Sequence, residues 1–310
     1  MSDDEMNEMN EMNEMNETQL VDTSGPGDRL ERDVPRRGED AEVGDHERAI
    51  ESQDIILRTE GITKSFGALI VLRGIDIYLK RGEVLGLVGD NGSGKSTFVK
   101  ILCGFHRQDE GRIFVEGQEV AFHSVKDARR HGIETVYQDL ALVPALTVYQ
   151  NLFLNREITR FGHLRWLSNK KMRQMARQYL DDINVQVSSV DALIESMSGG
   201  QRQAVALARA THQESKILLL DEPLAAMGAK ESALVIDLVK DLSHNRGVSM
   251  LIIDHNYQHL FELCDRLNVL QEGHITLDLR VEDTTMEDVT ALMVAEYRRR
   301  ITLGEEELRV

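Results

Sequence analysis

The chain has 310 residues, 41 % of them hydrophobic, which is enough to bury one large core or two small ones. No apolar run approaches the roughly 18 residues of a membrane-spanning helix, and the acidic N-terminus lacks the apolar segment of a secretory signal. The net charge is −17, of which residues 1–51 carry −12 with 17 acidic and 5 basic side chains. Because the body is only mildly acidic, we expect no nucleic-acid-binding surface.

Residues 1–52 are predicted to be a disordered acidic tail. Residues 5–16 are four copies of Glu-Met-Asn, and a three-residue period forms no lasting stripe on a helix of 3.6 residues per turn. Gly, Pro and charged residues dominate the stretch that follows. The role of the tail stays open, as does a halophilic source for the protein.

The two cysteines point to a reducing compartment. Cys103 and Cys264 both lie in apolar segments with helical spacing. We therefore expect them to be buried free thiols, since two isolated cysteines in such a setting favour neither a disulfide nor a metal site.

The ordered part of the chain begins near Asp54 and alternates between strand and helix patterns. Strands are predicted over residues 54–66, 71–80, 83–90, 111–122, 216–223 and 248–255. Helices are predicted over residues 95–105, 168–184, 201–212 and 232–245. This order indicates an α/β fold with a mainly parallel sheet, to which the first short strands add an antiparallel unit. The arginines at 298–300 are expected to end a helix in solvent.

The segment GLVGDNGSGKST forms a phosphate loop of the G-x-x-x-x-G-K-S type. It follows a predicted strand and opens a predicted helix, which is the context this motif needs. Glycines allow consecutive N–H groups to turn towards a phosphate, Lys95 brings a positive charge, and the Ser96 hydroxyl is a Mg²⁺ ligand. The predicted nucleotide-binding residues here are Gly89, Asp90, Asn91, Gly92, Ser93, Gly94, Lys95, Ser96 and Thr97.

A pair of acids follows the apolar strand in KILLLDEP. The strand would deliver Asp221 and Glu222 to the carboxyl edge of the sheet, where doubly wound folds place their chemistry. Asp221 can hold Mg²⁺ through water, and Glu222 can orient or deprotonate an attacking water.

A second anion site is indicated by MSGGQRQAVALARA, residues 197–210. Ser198 can cap a helix, and two glycines leave its first N–H groups uncovered. The segment offers no lysine and no metal ligand, so it would be half of a site. An ordinary capped helix would also account for Ser198, but not for the pair of glycines.

With these motifs in place, residues 55–295 or so resemble the ATPase subunit of an ATP-binding-cassette (ABC) transporter. MSGGQR resembles the signature motif of that family, and it precedes KILLLDEP as the family requires. The resemblance implies an ATPase domain over residues 53–297, with a helical subdomain at roughly 139–210, and a C-terminal tail at 298–310. It further implies head-to-tail pairing, in which Ser198, Gly199, Gly200 and Gln201 hold a nucleotide bound by the partner chain.

Three further residues take roles from the family. Gln138 matches the glutamine loop, which contacts Mg²⁺ and the attacking water and senses the membrane partner. His255 matches the switch histidine, which reaches the γ-phosphate. Phe66 matches the aromatic residue that stacks on adenine, with a packed core phenylalanine as the alternative. The resemblance thus makes Glu222, His255, Gln138 and Lys95 the catalytic set, and Ser96, Asp221 and Gln138 the metal set.

The sequence departs from the family pattern at three positions. Met197 stands where leucine is usual, a change that conserves volume. Gly228 replaces an aspartate common after Glu222, which leaves cross-talk between paired sites in doubt. Asp254 stands before His255, where a small hydroxyl residue is frequent.

Several stretches, among them LTVYQNLFLNRE and DEPLAAMGAKES, resemble the cassettes of monosaccharide importers. This implies a second cassette as partner, either the same chain or a paralogue. It also implies a transmembrane permease, a secreted solute-binding protein, and a position at the cytoplasmic face of the cell membrane. An importer of a polyol, amide or nucleoside, a cassette in translation or DNA repair, and a regulator that binds nucleotide without turnover are the alternatives.

Overall fold

A computed structural model describes residues 54–160, 166–212, 215–225 and 227–295. The predicted tails at 1–52 and 298–310, with the arginines at 298–300, lie outside these residues. In the described part no helix is long and apolar enough to cross a lipid bilayer.

The N-terminal part is a four-stranded antiparallel sheet, as predicted. Its strands are β1 (Ile55–Phe66), β2 (Leu69–Lys80), β4 (Glu110–Val115) and β5 (Gln118–Val120). They lie in the order β2-β1-β4-β5. Ile62, Leu72 and Ile75 point inwards and are fully buried, while alternate positions on the same strands stay exposed.

A second sheet has six strands. These strands are β3 (Val84–Val88), β6 (Ile133–Val136), β9 (Ile217–Asp221), β10 (Ser249–Ile253), β11 (Arg266–Gln271) and β12 (His274–Arg280). Their order is β12-β11-β3-β10-β9-β6. All neighbours run parallel except β11 and β12, which form an antiparallel edge that the sequence patterns did not predict.

The central strands are apolar throughout because both faces of the sheet are covered. In β9, Leu218 and Leu220 pack into one core, while Ile217 and Leu219 pack into a second core on the opposite face. The flanking helices are α1 (Lys95–Leu102), α2 (Val125–Arg130), α6 (Ala229–Lys240, continued by a π turn to Asn245), α7 (Tyr257–Leu263) and α8 (residues 286–295). Both cysteines are buried free thiols, which confirms that prediction.

A helical part lies between β6 and β9. It contains α3 (Val148–Leu152), a short hairpin of β7 (Thr159–Arg160) and β8 (Trp166–Leu167), α4 (Asn169–Asp182) and α5 (Gly199–Thr211). Helices α3 and α5 both begin with a capping box, formed by Thr147 with Gln150 and by Ser198 with Gln201. The hairpin had no counterpart in the sequence prediction.

Candidate functional site

The phosphate loop connects β3 to α1, the position predicted from its sequence. Gly89 has a φ of 154°, and a Cβ built there would lie 2.0 Å from the carbonyl oxygen of Leu270 on β11. Gly94 has a φ of 112°, and its Cβ would lie 2.6 Å from the side chain of Leu72. A residue other than glycine would clash with the backbone of β11 at position 89 and with a buried side chain of β2 at position 94, in addition to the strain of a positive φ.

Lys95 lies buried at the start of α1 and points back into the loop. Its Nζ donates to the carbonyl oxygens of Gly89 at 2.6 Å and Asp90 at 2.9 Å. Burial lowers the pKa of Lys95, an effect opposed by the nearby carboxylates of Asp90, Glu222 and Asp221. An ammonium group has three donors, so one remains for an incoming anion.

The loop also holds a buried hydroxyl that suits a phosphate. Ser93 is 6 % exposed, and its Oγ has no hydrogen-bond partner among the described residues. A buried polar atom without a partner costs free energy, and a phosphate oxygen would remove that cost. The neighbouring loop residues Asp90, Asn91, Gly92 and Ser96 are exposed, so the cradle is open to solvent.

Asp221 ends β9, and Glu222 is the first residue beyond the strand. Glu222 has a φ of 49°, a left-handed conformation that is uncommon for residues other than glycine and is often retained at functional sites. Its N–H donates to the carbonyl oxygen of Ile253 at 2.8 Å, which ties the turn to β10. Burial, followed by the negative charge of Glu222, raises the pKa of Asp221.

Two of the predicted catalytic residues, Gln138 and His255, contact the carboxylate of a third, Glu222. Gln138, two residues beyond β6, donates from Nε2 to Glu222 Oε2 at 3.1 Å. His255, two residues beyond β10, places Nε2 at 2.8 Å from Glu222 Oε1. Parallel strands bring their carboxyl ends to one edge, which is why residues so far apart in sequence come together.

The segment that carries His255 is held by hydrogen bonds between residues to which the sequence analysis assigned no role. Asp254 is 7 % exposed and accepts a hydrogen bond from the N–H of Asn256 at 2.8 Å. Its other oxygen lies 3.2 Å from Nδ1 of His259, and His259 Nε2 lies 3.3 Å from Asn256 Nδ2. Asp254, which departs from the family pattern, therefore supplies a carboxylate that accepts hydrogen bonds within the loop that carries His255. No sequence motif signals the pairing with His259.

Ser198 caps α5, as its sequence predicts. Its Oγ accepts from the N–H of Gln201 at 3.4 Å, and Gln201 Oε1 accepts from the N–H of Ser198 at 3.1 Å. The N–H groups of Gly199 and Gly200 belong to the first turn, which has no intrahelical acceptors. Among the described residues, no hydrogen bond or ion pair joins this end of α5 to the phosphate loop.

The second glycine has a packing role that the sequence interpretation missed. A Cβ at Gly200 would lie 2.9 Å from Cβ of Glu231, so this glycine permits the close approach of α5 and α6. A Cβ at Gly199 would meet nothing nearer than a carboxylate oxygen of Glu231 at 3.6 Å. The glycine pair is therefore not by itself a sign of an anion site, because an internal contact already explains Gly200.

Phe66 lies at the end of β1 and is 45 % exposed, so it is not the packed core residue of the alternative interpretation. Its ring contacts His106 edge-on at 5.3 Å between centroids, and Lys64 Nζ lies 5.5 Å from the ring centre. The ring is therefore partly exposed at the surface, where a planar ligand could contact it.

Comparison with known proteins assigns the family. The ABC transporter family model matches residues 72–225. The xylose/arabinose import ATP-binding protein XylG of Sulfolobus acidocaldarius is 42 % identical, over 81 % of this chain and 98 % of the relative. The chain belongs to the ATP-binding proteins of ABC transporters. This cassette is also 40 % identical to the fructose import ATP-binding protein FrcA of Rhizobium meliloti, over 78 % of this chain and 95 % of the relative.

Solved structures confirm the predicted fold class of the cassette. The ADP conformation of MJ1267, an ATP-binding cassette of an ABC transporter, matches with a TM-score of 0.67 and 27 % identity, over 81 % of this chain and 99 % of that one. The dimeric cassette MJ0796, bound to ADP and Pi, matches with a TM-score of 0.60 and 24 % identity, over 73 % and 99 %. The second likeness shows the fold alone.

Proposed function

We propose that this cassette is the ATP-hydrolysing subunit of a sugar importer. The observation that carries the proposal is the carboxylate of Glu222, contacted on one oxygen by Gln138 and on the other by His255, beside the phosphate loop. The relatives XylG and FrcA are import ATP-binding proteins for xylose or arabinose and for fructose. Their identity of about 40 % across nearly their whole length favours the same role here.

ATP would bind in the phosphate loop. The loop N–H groups and Lys95 would hold the phosphates, Ser93 Oγ would gain a partner, and Phe66 would stack on the adenine. Lys95 Nζ uses two of its three donors on the carbonyl oxygens of Gly89 and Asp90, so the third would donate to a phosphate oxygen.

The donor set also fits Mg²⁺. The described residues contain no cluster of three or more acidic, histidine or cysteine side chains that could hold a metal alone. Mg²⁺ commonly takes one or two carboxylates together with substrate phosphates, so Ser96, Asp221 and the amide oxygen of Gln138 would be its protein ligands. When bound, Mg²⁺ would neutralise charge developing on the phosphates. It would also offset the electrostatic repulsion between the carboxylates of Glu222 and Asp221.

In hydrolysis, Glu222 would accept a proton from the attacking water. Each carboxylate oxygen has two lone pairs, so the contacts to Gln138 and His255 leave acceptor sites on both oxygens. The same contacts would fix the direction of the carboxylate before the nucleotide binds, and such positioning supplies much of the catalysis in phosphoryl transfer.

The second half of the site would come from a partner cassette, either another copy or a paralogue. The start of α5 consists of Ser198, Gly199, Gly200 and Gln201. The N–H groups of Gly199 and Gly200 have no intrahelical acceptor, and among the described residues this helix start has no hydrogen bond or ion pair to its own phosphate loop. A helix N-terminus favours an anion. The γ-phosphate held by the partner's loop would satisfy these donors and close the dimer.

Closure would act on a transmembrane permease at the cytoplasmic face of the membrane, with a secreted solute-binding protein delivering the sugar. Purified chain should hydrolyse ATP in the presence of Mg²⁺. It should also co-purify with a multi-spanning permease and support uptake of a pentose or hexose in vesicles. Absence of ATPase activity with and without the permease would overturn the enzymatic proposal. Association with ribosomes or DNA in place of a permease would overturn import.

A further inference from the structure

Arg209 joins the far end of α5 to the loop that follows Gln138. Its Nη1 donates to the carbonyl oxygen of Ala141 at 2.7 Å, and its Nη2 donates to that of Leu140 at 2.8 Å. The two acceptors are consecutive carbonyls, and they meet the two arms of one planar guanidinium. A lysine could not reproduce this two-armed contact in a fixed plane.

The loop depends on this contact for its shape. Ala141 has a φ of 49°, a conformation uncommon for residues other than glycine, and the carbonyls of residues 140 and 141 both face Arg209. Arg209 is half-buried, and burial lowers the pKa of its guanidinium. A desolvated guanidinium is stabilised by the carbonyls it contacts, so the contact costs free energy to break.

The other end of the same loop is held separately. Asn151 is fully buried on α3, and its two Nδ2 hydrogens are shared among the carbonyl oxygens of Val143, Leu146 and Thr147. Its Oδ1 accepts from the N–H of Val143. Residues 143–147 are therefore fixed to α3, whereas Leu140 and Ala141 are fixed to α5. The end of the loop nearest Gln138 is therefore attached to α5 and not to α3.

Helix α5 has functional groups at both ends. Ser198 caps its start, Arg209 lies in its last turn, and eleven residues at about 1.5 Å each place roughly 16 Å between them. Gln138 lies two residues before Leu140 and touches Glu222. A continuous chain of contacts thus runs from the first turn of α5 through Arg209 to the carboxylate that activates water.

We propose that Arg209 is a positioning residue that ties Gln138 to α5, so that a nucleotide held at Ser198 by the partner sets the place of Gln138 beside Glu222. The inference rests on the proposed ATPase function and deepens it. Arg209 acts through Gln138 and touches no substrate. Its loss should therefore slow turnover and leave the binding of ATP to the phosphate loop intact.

The test compares Arg209→Met with Arg209→Lys and with a matched control, Arg246→Met. Arg246 also donates to a backbone carbonyl, that of Asp182, but lies away from the loop. We expect Arg209→Met to lower kcat about tenfold with KM for ATP changed less than threefold, Arg209→Lys to lie between, and Arg246→Met to keep the wild-type kcat. All assays are run at least 15 °C below each variant's melting temperature, so that unfolding does not enter.

A double-variant cycle separates positioning from a general structural role. If Arg209 acts through Gln138, Arg209→Met adds no more than twofold to the loss of kcat in Gln138→Ala. Independent, multiplying losses would overturn the inference, as would a wild-type kcat for Arg209→Met or an equal loss in Arg246→Met. These outcomes all require an active wild-type enzyme, whereas an inactive wild type would count against the proposed function itself.

Discussion

His255 Nε2 lies 2.8 Å from Glu222 Oε1, although the two residues follow different strands. β9 and β10 are parallel neighbours, with Ile253 opposite Asp221, so each strand delivers its next residues to the same edge. The second carboxylate oxygen is held by Gln138, from the loop beyond β6 on the other side of β9. The orientation of this carboxylate is therefore determined by three elements of the sheet.

Replacement of Glu222 by Gln should slow turnover strongly and keep nucleotide binding. The amide has nearly the same shape but does not accept a proton at neutral pH, and loss of a general base costs about 10²- to 10⁴-fold in rate. The ATP-bound dimer should therefore accumulate, as measured by light scattering at saturating ATP. A variant that stays monomeric there, with the permease present as well as absent, would contradict the paired site.

A mixture of two inactive chains should regain activity if the site is shared between chains. One chain carries Lys95→Ala, and the other carries Gly199→Asp, whose carboxylate repels a phosphate. Gly199 suits this test better than Gly200, since a side chain at 200 would clash with Glu231 in its own chain. The mixed dimer has one intact composite site and should give partial ATPase activity.

The neutral variant Gly199→Asn is the matched control, because it adds similar bulk without the charge. It should be less impaired than Gly199→Asp. Mixed dimers that form but hydrolyse no ATP would show that the two motifs do not act across the interface.

Two glycines of the phosphate loop should differ sharply in their response to alanine. At Gly89 the added Cβ would lie 2.0 Å from a backbone oxygen, whereas at Gly92 it would meet no atom within 4 Å. Gly92→Ala bears only the cost of a positive φ, about 1 kcal/mol, while Gly89→Ala must displace β11 or the loop. Urea unfolding and nucleotide titration should show larger losses of stability and of nucleotide affinity for Gly89→Ala than for Gly92→Ala. Equal losses would contradict the packing argument.

Phe66→Ala should weaken ATP binding about tenfold, since stacking of a base on an aromatic ring contributes about 1–3 kcal/mol. Phe105→Ala is the control, because Phe105 is 63 % exposed and lies against the same His106 ring, 5.0 Å between centroids. Calorimetric titration with ATP should show little change for Phe105→Ala. Equal weakening by both variants would assign the effect to His106 and not to stacking on Phe66.

Stability should decline at alkaline pH through Cys264. Burial raises the pKa of this thiol well above its ordinary value, so the native chain keeps the proton while the unfolded chain loses it. The contribution is fully present below the ordinary thiol pKa of about 8.5 and falls by up to about 1.4 kcal/mol per pH unit above it.

Urea unfolding of reduced protein between pH 7.5 and 9.5 measures this decline. In this window Cys264→Ala should show a shallower loss of stability than the wild type. The tyrosine hydroxyls contribute only at higher pH; burial raises the pKa of Tyr137, for example, to about 12. Identical slopes for wild type and variant would show that the thiol does not carry the effect.

The sequence by itself determined the phosphate loop, the acids after β9, the cap of α5 and the α/β fold. The loop, the acids and the cap each lie in one contiguous segment, and the order of such segments indicates the fold. Strand alternation, glycine spacing and capping can all be recognised locally. The antiparallel edge of β11 and β12 was not predicted, although HITLDLR in β12 alternates apolar and polar residues and carries a local strand signal. The pairing of β12 with β11 is a tertiary contact.

Only the tertiary structure decided which distant residues meet. It placed Gln138 and His255 on opposite oxygens of Glu222 and connected Arg209 to Leu140. It also gave Gly200 a packing role against Glu231. Such contacts depend on strand order and helix packing, which are set by the burial of the whole core and leave no pattern in any single stretch of sequence.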